Sequence, residues 1–193
     1  FSELVSGYEF DPIKAKQLLL ESKYGNDLDN LPPITITTPG SFGANVSLDM
    51  EVVLAMWEKN LGISTEFQQT EFATLLKDLN KRRFQMFDIG WIADYPDPEN
   101  FLDILFYSDS SNNHTNYNNP EVDALLEKAR VETDETLRFS IYNEVEQTIL
   151  DDAPWIPLWY SGERYLLVKP NVHDYLLTPL IIPKLRHVYL TDK

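Results

Sequence analysis

Apolar positions along the chain alternate between a helical and a strand period. Behind Asp11-Pro12, a capping residue followed by a proline suited to the first helical turn, Ile13, Ala15, Leu18 and Leu19 predict a helix to about Lys23. Gly25 to Pro33 reads as a polar turn region, and Ile34-Thr35-Ile36-Thr37 alternates like a half-buried strand, broken by Pro39, Gly40 and Gly43. Helical spacing returns from Val46 to Leu61, with Leu48, Val52, Ala55, Met56 and Lys59 on adjoining turns, and Gly62 suits the left-handed position beyond a helix end. Ile63 to Phe67 predicts a second strand. Phe72, Leu75, Leu76 and Leu79 predict a further helix, ended by Lys81-Arg82-Arg83.

Phe84 to Ile92, rich in aromatic and branched residues, predicts the third strand. Pro96 and Pro98 stop it. Asp97-Pro98 repeats the cap-and-proline start, with Phe101, Leu102, Leu105 and Phe106 on one face of a short helix. Strand, helix, strand, helix, strand predicts an α/β sheet with right-handed crossovers. A polar loop from Ser108 to Asn119 follows. Asn119-Pro120 opens a helix with Val122, Leu125, Leu126 and Ala129 inward, and Thr133 or Asp134 caps another with Leu137, Ile141, Val145 and Ile149 inward, leaving Asp151-Asp152 beyond its end. Ala153 to Tyr160 is an aromatic, proline-punctuated extended run, and Tyr165 to Val168 is a pairing partner for it. From Pro170 to Lys193 no helical pattern holds.

Composition narrows the class. The 193 residues suffice for one substantial core, and the 12% aromatic content argues against disorder. Acidic residues outnumber basic ones by 31 to 16, a net charge of −15, which disfavours nucleic acid and anionic membrane surfaces as partners. The absence of cysteine removes disulfides, thiolate metal sites and a cysteine nucleophile. No apolar run approaches the roughly 18 residues of a membrane helix. No signal peptide is visible. Phe1 in first place leads to the expectation of a processed chain or, preferably, an excised piece of a longer one.

Candidate chemistry reduces to one carboxylate. His114, His173 and His187 lie in no nucleophile-elbow context and read as surface or loop residues. Asp94, Asp97, Glu99 and Asp103 lack the spacing and glycine of a calcium loop. Asp97 reads as a helix cap, Glu99 as a first-turn residue complementing the helix dipole, and Asp103 as facing water. No glycine-rich phosphate loop occurs among seven glycines. Trp155, Trp159 and Tyr160 read as core, with a share in a ligand cleft as the alternative. Asp94 sits just past the predicted strand end, where ligands bind in α/β folds, between Trp91 and Tyr95. It reads either as a solvated loop carboxylate or as the partner of a cationic group held between aromatic walls.

Four stretches resemble a known family. They are Tyr8-Glu9-Phe10-Asp11-Pro12 with the Ile13 to Leu19 helix start, Gly90-Trp91-Ile92-Ala93-Asp94-Tyr95-Pro96-Asp97-Pro98, Tyr117-Asn118-Asn119-Pro120-Glu121-Val122-Asp123, and Asp152-Ala153-Pro154-Trp155-Ile156-Pro157-Leu158. In order and spacing they resemble the C-terminal portion of the extracellular solute-binding proteins of family 5, which serve ABC importers of oligopeptides, dipeptides and nickel. The resemblance implies one lobe of a two-lobed periplasmic-binding-protein type II fold, a mixed sheet flanked by helices, over residues 1–161. It implies an extended tail over 162–193 that returns to an N-terminal lobe outside this chain. It implies a non-enzymatic, periplasmic or extracellular monomer without cofactor or metal, delivering peptides to ABC permease subunits, with a lipoprotein anchor as one mode of attachment. The ligand-binding residues it implies are Asp94, for the peptide α-amino group, with Gly90, Trp91, Ile92, Tyr95 and Trp159. The backbone of Gly90 to Ile92 would pair with an extended peptide. Asp88 stands where some members carry an arginine for the ligand carboxylate, so that end of the ligand is not assigned. A sensing or regulatory protein reusing the lobe, and a member binding a nickel chelate or an oligosaccharide, are the alternatives.

Overall fold

The computed structural model describes residues 4–25, 27–28, 31–40, 47–160, 167–177 and 184–192. The chain divides into two compact units, Ser6–Gly90 and a second made of Trp91–Lys193 with the first five residues.

The first unit is a βαβαβ arrangement preceded by a helix: α1 (Pro12–Glu21), β1 (Ile34–Pro39), α2 (Leu48–Leu61), β2 (Thr65–Thr70), α3 (Phe72–Leu79) and β3 (Met86–Phe87). All pairings are parallel, in the order β2-β1-β3. α1 starts as its sequence predicts, the Asp11 carboxylate accepting from the Lys14 amide at 2.9 Å. None of its residues is buried, and Ile13 is 82% exposed, so its apolar face is not part of this unit's core.

Two expectations change here. The first concerns the face of α2. Leu48, Val52 and Met56 are exposed, and so are Ala55 and Lys59; the inward stripe is Met50, Val53, Leu54 and Trp57. Both stripes recur at three- and four-residue spacing, so periodicity alone does not say which faces the sheet. Leu75 and Leu79 of α3 are buried, whereas Phe72 and Leu76 are exposed. The second concerns the strands. β2 begins at Thr65, two residues later than predicted: Gly62 ends α2 at φ 72°, Ile63 is buried as an anchor, and the Ser64 carbonyl accepts from Ile34 N–H at 3.1 Å. β3 is two residues long rather than spanning Phe84 to Ile92. Asp88 N–H donates to the Thr37 carbonyl at 3.0 Å. The next rung of a parallel ladder calls for the N–H of Pro39, which has none. The chain therefore leaves the sheet before Gly90.

The second unit is helical: α4 (Glu99–Phe106), α5 (Pro120–Val131) and α6 (Glu135–Asp152), then β4 (Val172–His173) paired antiparallel with β5 (Tyr189–Leu190) around a 3-10 turn at Leu185–His187. The Asn119 side chain caps α5 through the Glu121 and Val122 amides, and the Asp134 carboxylate caps α6 through the Leu137 amide. The core joins Leu102, Leu105 and Phe106 of α4, Val122, Leu126 and Ala129 of α5, and Ile141, Tyr142, Val145 and Ile149 of α6, with Trp91, Tyr117 and Trp155 against it. Leu137, expected inward, is 56% exposed, because the inward stripe of α6 begins one turn later at Ile141. α6 also runs further than predicted, through Asp151-Asp152 to a left-handed Ala153 at φ 49°. Asp152 then accepts hydrogen bonds from the Tyr117 hydroxyl at 2.5 Å and the Asn119 amide at 2.8 Å, tying the end of α6 to the start of α5. Burial and this bond push the Tyr117 hydroxyl well above the ordinary phenol range.

The aromatic run after α6 splits. Trp155 packs on Phe106 with ring centroids 4.9 Å apart, while Trp159 and Tyr160 are exposed and outside the core. Of the stretch expected to pair with this run, residues 165 and 166 lie outside the described residues, and Leu167 and Val168 form no strand. Among the described residues no helix is long and apolar enough to cross a membrane.

Candidate functional site

The segment between the end of β3 and α4 is irregular, yet it is pinned at defined points. Asn100, in the first turn of α4, is fully buried. Its Oδ1 accepts from the Trp91 indole N–H at 3.0 Å and from the Asp94 backbone N–H at 3.2 Å. One oxygen therefore holds both a side chain and the backbone of the segment to the helix. Trp91 is in turn packed against the core of the second unit.

Asp97 is the second fixed point. It was expected as a cap with Pro98 as the first helical residue; instead α4 begins at Glu99, with Pro98 in the cap position. The Asp97 carboxylate still caps the turn, accepting from the Glu99 amide at 2.9 Å. It also receives a two-pronged ion pair from Arg138 of α6, at 2.6 and 2.9 Å. Arg138 donates further to the Tyr142 hydroxyl at 3.2 Å. The Arg138 bonds, then the Glu99 amide, hold the Asp97 carboxyl below the usual carboxylate range.

Asp103 corrects its expected exposure. It is 7% exposed and takes a two-pronged pair from Arg130 of α5, at 2.6 and 2.8 Å, whose guanidinium lies over the Tyr107 ring. Glu99 accepts from the Tyr95 hydroxyl, and that bond leads the causes raising the Tyr95 hydroxyl above its ordinary value. Three of the four acidic residues in this stretch thus have protein partners.

Asp94 is the exception. Its carboxylate is exposed and, among the described residues, has no hydrogen-bond or ion-pair partner, although its backbone is fixed. Trp91 is half-buried beside it in the chain, and Tyr95 is 40% exposed. Ile92 is 57% exposed. Gly90 ends the other unit and is exposed, and a Cβ there would meet open space. Trp159 is 62% exposed and takes part in no hydrogen bond or ring pair among the described residues. The structure brings Trp91, Asp94 and Tyr95 together on Asn100 and α4. His173 is accounted for by the tail, stacked on Tyr189 and within 3.0 Å of Thr191 Oγ1. Among the described residues no cluster of three or more His, Asp or Glu side chains is placed to hold a metal.

Asn100, Arg130 and Arg138 were not singled out in the sequence. Asn100 and Asp103 are three residues apart on a face otherwise lined by leucine and phenylalanine. Two polar residues on a buried helix face were the available signal.

The Asp97–Arg138 pair makes a pH prediction. A carboxyl lowered on folding adds stability that is fully present above the unfolded value and is lost as pH falls through the folded value. Asp97→Asn should cost about 1.5–3 kcal/mol at neutral pH, the range for hydrogen bonds to charged groups. The gap between wild type and variant should narrow as pH falls below about 4. Urea unfolding at pH 7 and pH 3 measures both; a gap of equal size at the two pH values would dismiss the ion pair as its source.

An α/β unit of parallel strands joined to a helical unit matches one lobe of a periplasmic solute-binding protein. The structure of the Escherichia coli murein tripeptide binding protein MppA aligns with a TM-score of 0.80 at 27% identity, covering 100% of this chain and 38% of that one. The chain belongs to the bacterial extracellular solute-binding proteins, family 5, whose middle-region model matches residues 2–113. It is 31% identical to the oligopeptide-binding protein OppA of Bacillus subtilis over 142 residues, 74% of this chain and 25% of that protein. It is 31% identical to heme-binding protein A of Haemophilus influenzae over 185 residues, 93% of this chain and 32% of that protein. The chain thus spans about a quarter to a third of these curated relatives. By name, both are binding proteins.

Proposed function

We propose that this chain is one lobe of the substrate-binding component of an ABC importer, and that the intact parent protein encloses a peptide between this lobe and a second one. In this reading residues 1–161 form the lobe, and residues 162–193 cross to its partner. The protein works as a periplasmic or extracellular monomer, with or without a lipoprotein anchor, and hands its ligand to the membrane permease without chemistry. Asp94 takes the peptide's α-amino group, Trp91 and Tyr95 flank it, and the backbone of Gly90 to Ile92 pairs with an extended peptide; Trp159 belongs to the same cleft.

The observation that carries the reading is Asp94 itself. Its acidic neighbours Asp97, Glu99 and Asp103 are all partnered within the protein, while Asp94 is held by its backbone with its charge unspent. An exposed, prepositioned carboxylate between aromatic residues suits a primary ammonium. The name of the Bacillus relative supports a peptide as the ligand. A second reading, a non-peptide solute such as a porphyrin, is favoured by the Haemophilus relative.

Titrating the parent protein by calorimetry with trialanine and with hemin separates the two. Peptide binding unaffected by hemin supports the first reading, and hemin binding without peptide binding replaces it. Because an enclosed site needs both walls, the 193-residue chain by itself should bind trialanine no more tightly than about millimolar. Sub-micromolar binding by the isolated chain would place the whole site within it.

A further inference from the structure

Resting on the proposed role of Asp94, we infer that Asn100 is the positioning residue that sets where the Asp94 carboxylate stands. Asn100 is fully buried, so it does not reach a ligand. Its Oδ1 receives both the Trp91 indole N–H and the Asp94 backbone N–H. The two donors belong to the residues that would form a wall and the charge of an amine site. A single acceptor therefore fixes their spacing, and it does so from the first turn of a helix whose Leu102, Leu105 and Phe106 are core. A site held by a helix is more closely defined than one left to a loop.

The choice of a carboxamide has a reason. Asn100 uses its oxygen twice, while its Nδ2 makes no hydrogen bond of standard geometry and lies near the Tyr95 hydroxyl. A carboxylate would accept the same two bonds, but it would be a buried charge close to Asp94, and like charges disfavour each other. Asn supplies the acceptor without the charge.

Four forms of the full-length two-lobed protein test this: wild type, Asp94→Ala, Asn100→Ala and the double variant, each titrated with trialanine and N-acetyl-trialanine. The readout is the preference for the free amine, which a general loss of stability does not move. Asn100→Ala should reduce that preference at least about tenfold, since misplacement of a binding group by an ångström has effects of this order. It should change the affinity for the acetylated peptide less than about threefold, and add nothing to the preference in the Asp94→Ala background. Equal weakening of both peptides, or a further loss of preference without Asp94, overturns the inference. If Asp94→Ala leaves the preference intact, the amine assignment fails and takes this inference with it. If Asp94→Ala abolishes the preference and Asn100→Ala does not, only the role of Asn100 fails. A measurement on the wild type stands even where a variant does not fold. The Asp94 amide and Trp91 indole protons, bonded to the same buried oxygen, should both be protected from hydrogen exchange, and exchange of either at solvent rates overturns the inference.

Discussion

If the proposed role of Asp94 holds, Asp94→Ala in the intact protein is expected to weaken binding of a free-amine peptide by about 3–5 kcal/mol, two to three and a half decades in affinity. The size follows from what the substitution leaves behind. In the proposed reading a second lobe closes over the ligand and takes its ammonium out of water, and without Asp94 that ammonium has no counter-charge. In the lobe described here the carboxylate is exposed, and an ion pair left in that setting is worth only about 0.2–1 kcal/mol. The magnitude therefore reports on closure as well as on contact. Asp94→Asn should recover part of the loss, keeping a hydrogen-bond acceptor but not the charge. An N-acetylated peptide should bind wild type poorly and hardly distinguish it from Asp94→Ala. Calorimetry on the four combinations of residue and amine isolates the pairing energy. Independent, additive losses would show that Asp94 does not hold the amine.

Leu126→Ala should destabilise the protein by about 2–5 kcal/mol, while Leu137→Ala should stay within about 0.5 kcal/mol of wild type. Both are leucines at helical spacing in neighbouring helices. Leu126 is fully buried among α4, α5 and α6, so its truncation leaves a cavity that close-packed neighbours fill only in part. Leu137 is 56% exposed in the first turn of α6. Denaturant unfolding of the two variants side by side measures the contrast. Similar losses at both would mean that Leu137 faces the core, as its periodicity alone predicts. The same comparison bears on the site, because α4, which carries Asn100, rests on that core.

Local chemistry was legible in the sequence. Asp11-Pro12, Asn119-Pro120 and Asp134 mark helix starts because a short polar side chain and a preset φ act over three residues, with no need of the rest of the protein. Gly62 marks an end for the same reason. The alternation of strand and helix carried the α/β class, and four spaced stretches carried the family. Asp94 stood out because Asp97 and Glu99 already had local roles.

Tertiary structure decided whatever depends on what lies opposite. Two stripes of α2 have helical spacing, and only the position of the sheet selects Met50, Val53, Leu54 and Trp57 over Leu48, Val52 and Met56. The length of β3 is set on another strand, by the missing N–H of Pro39. Arg130 and Arg138 find Asp103 and Asp97 across 27 and 41 residues of chain, a distance at which sequence spacing carries no information. Asn100 looks like an ordinary first-turn residue until the burial of its oxygen, and the two donors that converge on it, are seen. Local bonds are fixed by neighbours in sequence; faces, partners and burial are fixed by neighbours in space.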